Sequence, residues 1–154
     1  MKKLHLTLLL LASAALASCS DKDDVTNPAE GLAGQYEGYT TASCAYFPNQ
    51  VATDQTVTVS TSATLGKINI SFESSTWGTI TIDDATVAQS GSEKTFYGEG
   101  KSLMGHAGGE AKEYVCTASG KFTGGELQAS FSIPAVIGGL TIEFRQGDAP
   151  QTEE

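Results

Sequence analysis

The chain has 154 residues, with 9 Lys and Arg against 18 Asp and Glu, and a formal net charge of −9. A chain of this length makes one domain. Its acidic balance excludes a nucleic acid as partner, because such binding neutralises phosphates with Lys and Arg. Arg145 is the single arginine and there is no basic cluster.

Residues 1–18 have the anatomy of a secretory signal peptide. Lys2 and Lys3 form a positive start, and an apolar run from Leu6 to Leu16 follows. This run is shorter than the ~20 residues that a bilayer span requires. The small residues before Cys19 make the junction resemble a bacterial lipobox, which implies acylation of Cys19 and anchoring to the membrane by two or three lipid chains. The alternative is an ordinary cleaved signal in which Cys19 is incidental.

Residues 19–31 form an acidic stretch that we predict to be a flexible tether. Asp21, Asp23 and Asp24 follow the cysteine closely, and this resembles the acidic tag of many surface-exposed lipoproteins of the Bacteroidota. The resemblance implies an outer-membrane protein, lipid-anchored and exposed at the cell surface. The alternative is a solvated spacer on the periplasmic face. Loss of Lys2 and Lys3 with the leader takes the net charge to −11.

From Gly34 onward the dominant pattern is a period of two, which indicates β-strands with one face on a core and one in water. Ile68, Ile70 and Phe72, for example, alternate with polar residues. No window of a dozen residues has a helical stripe. The pattern predicts eight strands, at 35–44, 55–62, 66–73, 77–88, 94–101, 112–122, 126–132 and 139–145.

The fourth predicted strand changes phase. Ile80 and Ile82 are apolar at even positions, whereas Ala85 and Val87 are apolar at odd ones. A β-bulge at Asp83-Asp84 would restore the facing; a tight turn there would make nine strands instead. We predict the bulge.

The connections between the strands favour a closed meander. Gly124-Gly125 suits a two-residue hairpin, and the two longer connections are 45–54 and 103–111. Closure removes exposed strand edges. We therefore predict a single all-β domain at 32–148, an antiparallel eight-stranded barrel followed by a disordered tail at 149–154. A β-sandwich is the alternative.

Two segments carry a resemblance to a known family. They are Ser75-Thr76-Trp77-Gly78-Thr79-Ile80-Thr81-Ile82 and Ile133-Pro134-Ala135-Val136-Ile137-Gly138-Gly139-Leu140-Thr141-Ile142-Glu143-Phe144. With them the chain resembles the calycin-like (lipocalin-like) β-barrel lipoproteins of the Bacteroidota, over roughly residues 32–150. The resemblance implies a small eight-stranded barrel on a lipid tether, and it brings no catalytic residues.

Lipocalins proper place a Gly-x-Trp on the first strand and pack a late basic residue over the ring. Gly34, Tyr36 and Arg145 are the residues that could take these positions here, with a cation–π contact. Against this, Arg145 is out of phase with Ile142 and Phe144, which indicates that it points to solvent.

Cys44 and Cys116 remain once Cys19 is lipidated. In an oxidising compartment two such thiols predict one disulfide. The alternative is two buried, unpaired cysteines that act as small apolar residues.

The sequence offers no catalytic constellation, no metal site and no cofactor motif. His106 lies alone in a glycine-rich loop, whereas zinc requires three or four clustered ligands. Asp83 and Asp84 are adjacent strand residues that face opposite ways, and the pair Glu110 and Glu113 has no further partner. We expect that the protein is not an enzyme.

Aromatic residues are the remaining candidates for binding. Tyr39, Trp77, Tyr97 and Tyr114 either line a barrel mouth or fill the core and strand faces. A hollow barrel would take a small apolar or amphipathic ligand; a solid one would serve as a module that recognises a protein or glycan at the cell surface. The inward glycines 38, 98, 100 and 120 leave room for a cavity, while Phe72, Phe131 and Phe144 favour packing.

Overall fold

The computed structural model of the chain describes residues 26–105 and 109–151. The leader, Cys19 and His106 lie outside the described residues. The described part contains eight strands: β1 (Gly34–Ser43), β2 (Gln50–Thr61), β3 (Lys67–Ser74), β4 (Gly78–Ser90), β5 (Glu93–Met104), β6 (Lys112–Thr123), β7 (Glu126–Ile133) and β8 (Leu140–Gln146).

The strands form a closed antiparallel barrel in the order β1 to β8. Each strand pairs with its neighbour in sequence, and β8 closes the sheet on β1, with Thr40 opposite Phe144. This confirms the predicted eight-stranded barrel and excludes the sandwich. Gly124 and Gly125 make the β6–β7 turn with φ of +61° and +85°, a conformation that tight hairpin turns require and glycine adopts without strain. In the described part of the chain there is no helix long and apolar enough to cross a membrane.

The barrel interior is packed solid at its centre. The alternation seen in the sequence turns one residue in two inward, and Phe72, Phe131 and Phe144 are all buried there. Phe72 and Phe131 stack with ring centroids 5.5 Å apart and planes 14° from parallel. Six buried isoleucines complete the filling: Ile68, Ile70, Ile80, Ile82, Ile133 and Ile142.

The inward glycines do not make the barrel hollow. A Cβ at Gly98 would lie 2.6 Å from the Ile82 side chain, and one at Gly120 would lie 2.6 Å from the Phe96 ring. Large neighbours therefore already occupy the space that each glycine frees, so that glycine here permits close packing.

The predicted bulge in β4 is confirmed. The pairing of β4 with β5 shifts register between Ile82 and Thr86, and Asp84 has a φ of +57°. The amide of Asp84 donates to Asn69 Oδ1 at 2.9 Å. Because the extra residue restores the facing, Ile82 and Ala85 both point into the core.

Two predicted boundaries change by three or more residues. β2 begins at Gln50 rather than residue 55, because a second irregularity with φ of +55° at Asp54 hides the alternation. β5 continues to Met104 rather than ending at residue 101. The connections are consequently shorter than predicted, at residues 44–49 and 105–111.

The antiparallel order gives the barrel two unlike ends. The end we name the closed end carries residues 26–33 and the turns 62–66, 91–92 and 124–125. The end we name the open end carries the connections 44–49, 75–77 and 134–139, together with the described residues between β5 and β6.

The N-terminal segment covers the closed end. Ala29 and Leu32 are buried against the core. The Asn27 side chain accepts hydrogen bonds from the amides of Ala29, at 3.1 Å, and Gly66, at 3.0 Å. Tyr36 Oη donates to the Leu32 carbonyl at 2.7 Å. The packed structure therefore includes residues that the sequence assigned to the tether.

Candidate functional site

A cavity of about 280 Å³ lies at the open end. It is lined by Phe47, Thr76, Trp77, Met104, Gly105, Tyr114, Ala135, Val136, Ile137 and Leu140. These residues come from the connections of the open end and from the adjoining strand ends. Most of them are apolar or aromatic, and none carries a charged group. Such a lining suits an apolar or amphipathic group.

An aromatic pair forms one wall of the cavity. The rings of Phe47 and Trp77 are stacked, with centroids 6.3 Å apart and an angle of 23° between planes. Trp77 Nε1 donates to Thr40 Oγ1 at 3.0 Å, and Thr40 is fully buried. The Trp77 amide donates to Ser74 Oγ at 3.2 Å. The indole is thus held in one orientation before any ligand arrives.

Ser102 is a neighbour of two residues that line the cavity, although it is not itself part of the lining. It faces inward on β5, one inward position below Met104, and pairs with Tyr114 across the β5–β6 ladder. The residue is fully buried, and its Oγ has no hydrogen-bond partner among the described residues. Buried hydroxyls are nearly always paired, so this one is an exception.

Exposed apolar side chains surround the same end. Tyr46 is 79% exposed and Val115 71% exposed. Of the seven large apolar side chains exposed in the described residues, five lie toward the open end: Tyr46, Val51, Leu103, Val115 and Ile137. We name these five the apolar rim.

The four aromatic residues singled out in the sequence separate in space. Trp77 and Tyr114 line the cavity. Tyr97 is exposed on the outer face of β5, where its hydroxyl donates to Glu99 at 3.3 Å, and Tyr39 lies at an outer groove near the C-terminal segment. Phe47, the partner of Trp77, was not predicted. It follows β1 in a connection, where no periodicity marks a residue as facing a site.

The carboxylate pairs do not form a site. Asp83 and Asp84 are exposed at the bulge, and Ser62 Oγ donates to the Asp84 carboxylate. Glu113 forms an exposed ion pair with Lys101 at 2.8 Å. Within residues 26–105 and 109–151, no group of three or more His, Cys, Asp or Glu side chains could hold a metal ion.

The predicted disulfide is not formed, since Cys44 and Cys116 are both free. Cys116 lies on β6 and Cys44 just after β1, and β7 and β8 separate these strands. The Cys44 Sγ instead accepts a hydrogen bond from the Tyr46 amide at 3.3 Å. Burial raises the pKa of the Cys116 thiol to about 11. The state of Cys116 is therefore the alternative considered from the sequence, a buried and unpaired cysteine.

The lipocalin arrangement of Tyr36 and Arg145 is also absent. Tyr36 packs against Phe122 with ring centroids 5.6 Å apart. Arg145 is exposed and lies opposite Tyr39 in the β1–β8 ladder. Its phase along β8 turns it to solvent, as the alternation indicated.

Two further depressions lie away from the open end. A groove of about 870 Å³ separates residues 147–151 from β1 and β2, and Glu37, Asp54 and Asp148 are among its lining residues. A shallower one of about 430 Å³ lies on β5 to β8 around Gly120. Both include charged side chains among their lining residues, unlike the described lining of the cavity at the open end.

Comparison with known proteins supports this architecture. The chain is similar to a protein from Bacteroides fragilis NCTC 9343, described provisionally as an outer membrane protein, whose crystal structure was determined at 2.40 Å. The TM-score is 0.66 and the sequence identity 30%, over 79% of this chain and 46% of the other. The chain thus spans less than half the length of that protein. No curated protein matches the chain. The sequence profile of the calycin-like β-barrel domain matches residues 32–145, and the chain therefore belongs to this family.

Proposed function

We propose that the protein is a non-catalytic, lipid-anchored binding protein of the cell envelope that takes a small apolar or amphipathic ligand at the open end of its barrel. The observation that carries this proposal is the uncharged cavity with the pre-oriented Trp77 in its wall. Concave, mostly apolar sites with few polar groups are the usual form of small-molecule sites, and barrel mouths are a common place for them.

The packed interior determines how far such a ligand enters. Phe72, Phe131 and Phe144 fill the centre of the barrel, so there is no room for a ligand deep inside. The site of the proposed ligand is therefore the cavity above these rings and not the centre of the barrel.

The envelope location rests on two lines of support. The relative from Bacteroides fragilis is described as an outer membrane protein, and the leader with Cys19 resembles a lipobox. The chain enters the barrel at the closed end. An anchor on Cys19 would accordingly hold the closed end toward the membrane and leave the cavity pointing away from it. Replacing Cys19 by Ser should abolish incorporation of a fatty-acid label.

Ligand binding can be tested by intrinsic fluorescence, because Trp77 is the single tryptophan of the chain. We expect small aromatic or alicyclic compounds to change the Trp77 emission in a saturable way. Phe47→Ala keeps the reporter and should weaken binding about tenfold, since it removes one wall of the cavity. Tyr97→Ala, on the outer face, is the matched control and should bind as the parent does. Equal affinities for all three proteins would contradict the proposal.

A second candidate function is recognition of a protein at the same end. The apolar rim favours it, because several large apolar side chains exposed toward one end of a domain are typical of an interaction site. A Val115→Glu variant should then lose the partner in a pull-down from envelope extracts while its response to small compounds stays unchanged.

A further inference from the structure

We infer that the ligand of the open-end cavity is a neutral, single-ring compound carrying a hydroxyl group, and that Ser102 recognises this hydroxyl. The inference rests on the proposed binding function and names the ligand class of the same site. Four observations lead to it: the volume of the cavity, the uncharged side chains of its described lining, its aromatic wall, and the unpaired hydroxyl of Ser102 next to the lining.

The size of the cavity restricts the ligand to one ring. Its volume of about 280 Å³ lies just below the range of roughly 300–1,000 Å³ typical of pockets for drug-sized ligands. Since liquid water occupies about 30 Å³ per molecule, the cavity equals about nine waters. A phenol-sized ring fits such a space, whereas a sterol or a long acyl chain exceeds it.

The electrostatics of the cavity favour a neutral ligand. No Lys, Arg, His, Asp or Glu is among the described residues that line it. A charged ligand would lose its hydration there without gaining an opposite charge, which is costly. The net charge of −9 on the chain further disfavours an anion.

The wall of the cavity presents a ring surface. Phe47 and Trp77 stack on each other, and the hydrogen bond to Thr40 occupies the only indole donor. Trp77 therefore offers a ring to pack against and no free polar group. Flat or alicyclic rings make good use of such a surface through stacking and edge contacts.

A buried hydroxyl next to the lining supplies the polar contact. Ser102 is two residues below Met104, about 7 Å along an extended strand, and directly opposite Tyr114, whose Cβ lies about 5 Å from that of Ser102 in such a pair. Met104 and Tyr114 both line the cavity. The Oγ of Ser102 is without a partner among the described residues, so it has both a donor and an acceptor to offer.

Gln55 provides an informative contrast. Its Oε1 is the other buried side-chain atom left unpaired in the described residues. However, its Nε2 donates to the Thr53 carbonyl at 2.7 Å, so the amide group is partly satisfied within its own strand. Ser102 has no such local partner, and a ligand hydroxyl entering from above would supply one.

The test compares two ligands that differ by one hydroxyl, p-cresol and toluene. The protein is a version that begins at Ser20, which retains every described residue and lacks both the leader and the lipidated cysteine. Trp77 fluorescence reports both affinities in this protein and after the further change Ser102→Ala. We expect Ser102→Ala to weaken p-cresol binding about tenfold, as loss of one buried hydrogen bond implies, and to leave toluene binding within about twofold. Ser132→Ala on β7 is the matched control and should change neither affinity.

Three results would overturn the inference. Equal effects of Ser102→Ala on both ligands would mean that the hydroxyl does not meet Ser102. Binding of 4-methylbenzoate as tight as that of p-cresol would contradict the neutral class. If neither ring bound, the proposed binding function would fail together with the inference, whereas the first two results leave that function standing.

Thermal unfolding separates recognition from a structural role. Ser102→Ala removes an unpaired buried hydroxyl, so the variant should melt at the same temperature or higher. A lower melting temperature would mean that Ser102 supports the fold, and would overturn its assignment as a recognition group.

Discussion

The two ends of the barrel differ in how far the chain covers them. At the closed end, the N-terminal segment buries Ala29 and Leu32 and satisfies its backbone through Asn27 and Tyr36. At the open end, longer connections leave an uncharged cavity and the apolar rim uncovered. The closed end is therefore packed for stability, and the open end retains the space that the proposed ligand would occupy.

The packed layer between the ends keeps them independent. Phe72 and Phe131 stack across the barrel, with Phe144 buried alongside. Protein interiors are close-packed and have little free volume. A ligand bound at the open end would therefore not reach the N-terminal segment. Substitutions at the two ends should therefore act separately, and the following variants test this.

The largest effect is expected in the central layer. Phe131→Ala should lower the free energy of unfolding by about 3–5 kcal/mol, because it removes a fully buried ring and leaves a cavity. Denaturation by urea gives the value. Tyr97→Ala on the outer face is the control and should change stability by less than about 0.5 kcal/mol. A small loss at Phe131 would mean that the centre of the barrel is not a packed partition.

The contrast between the ends is measured by a matched pair of aliphatic truncations. Leu32→Ala at the closed end should cost about 2–3 kcal/mol of unfolding free energy, because this side chain is buried. Ile137→Ala at the open end should cost under about 0.5 kcal/mol, because Ile137 is 44% exposed. Similar losses in the two variants would remove the distinction between the ends.

The two thiols give a smaller, pH-dependent effect. Burial raises the pKa of Cys116 from 9.0 to about 11, so the unfolded chain releases this proton at lower pH than the folded one. Stability is then fully present below about pH 9 and falls as the pH rises toward about 11, by at most about 3 kcal/mol. Cys116→Ala should remove this part of the pH dependence in denaturant titrations, whereas Cys44→Ala should not.

Alkylation supplies an independent measurement of the same contrast. At pH 8, iodoacetamide should modify the half-buried Cys44 at least about tenfold faster than Cys116, because only the thiolate reacts. Equal rates would show that the interior opens more readily than the packing implies.

Much of the fold could be predicted because alternation survives in most strands. Ile68, Ile70 and Phe72 indicated their facing directly, and the change of phase at Asp83-Asp84 predicted a bulge that the structure contains. The start of β2 was missed for a related reason. There the irregularity at Asp54 interrupts a segment with little apolar alternation, so neither the strand nor its bulge leaves a readable pattern.

The candidate site was far less predictable. Trp77 and Tyr114 were among the aromatic residues considered, but nothing distinguished them from Tyr39 and Tyr97, which lie elsewhere. Ser102 was one polar residue among many. Its significance depends on the absence of a partner, which only the surrounding side chains determine.

Local chemistry was therefore enough to predict the strands, their facing and a closed meander, since these depend on periodicity and turn residues that neighbours in sequence carry. Whether the inward glycines leave a cavity, whether Cys44 meets Cys116, and which end remains open depended on contacts between residues far apart in the chain. Those contacts are set by packing across the barrel, where Ile82 fills the space beside Gly98, and by the N-terminal segment folding onto one end and leaving the other uncovered.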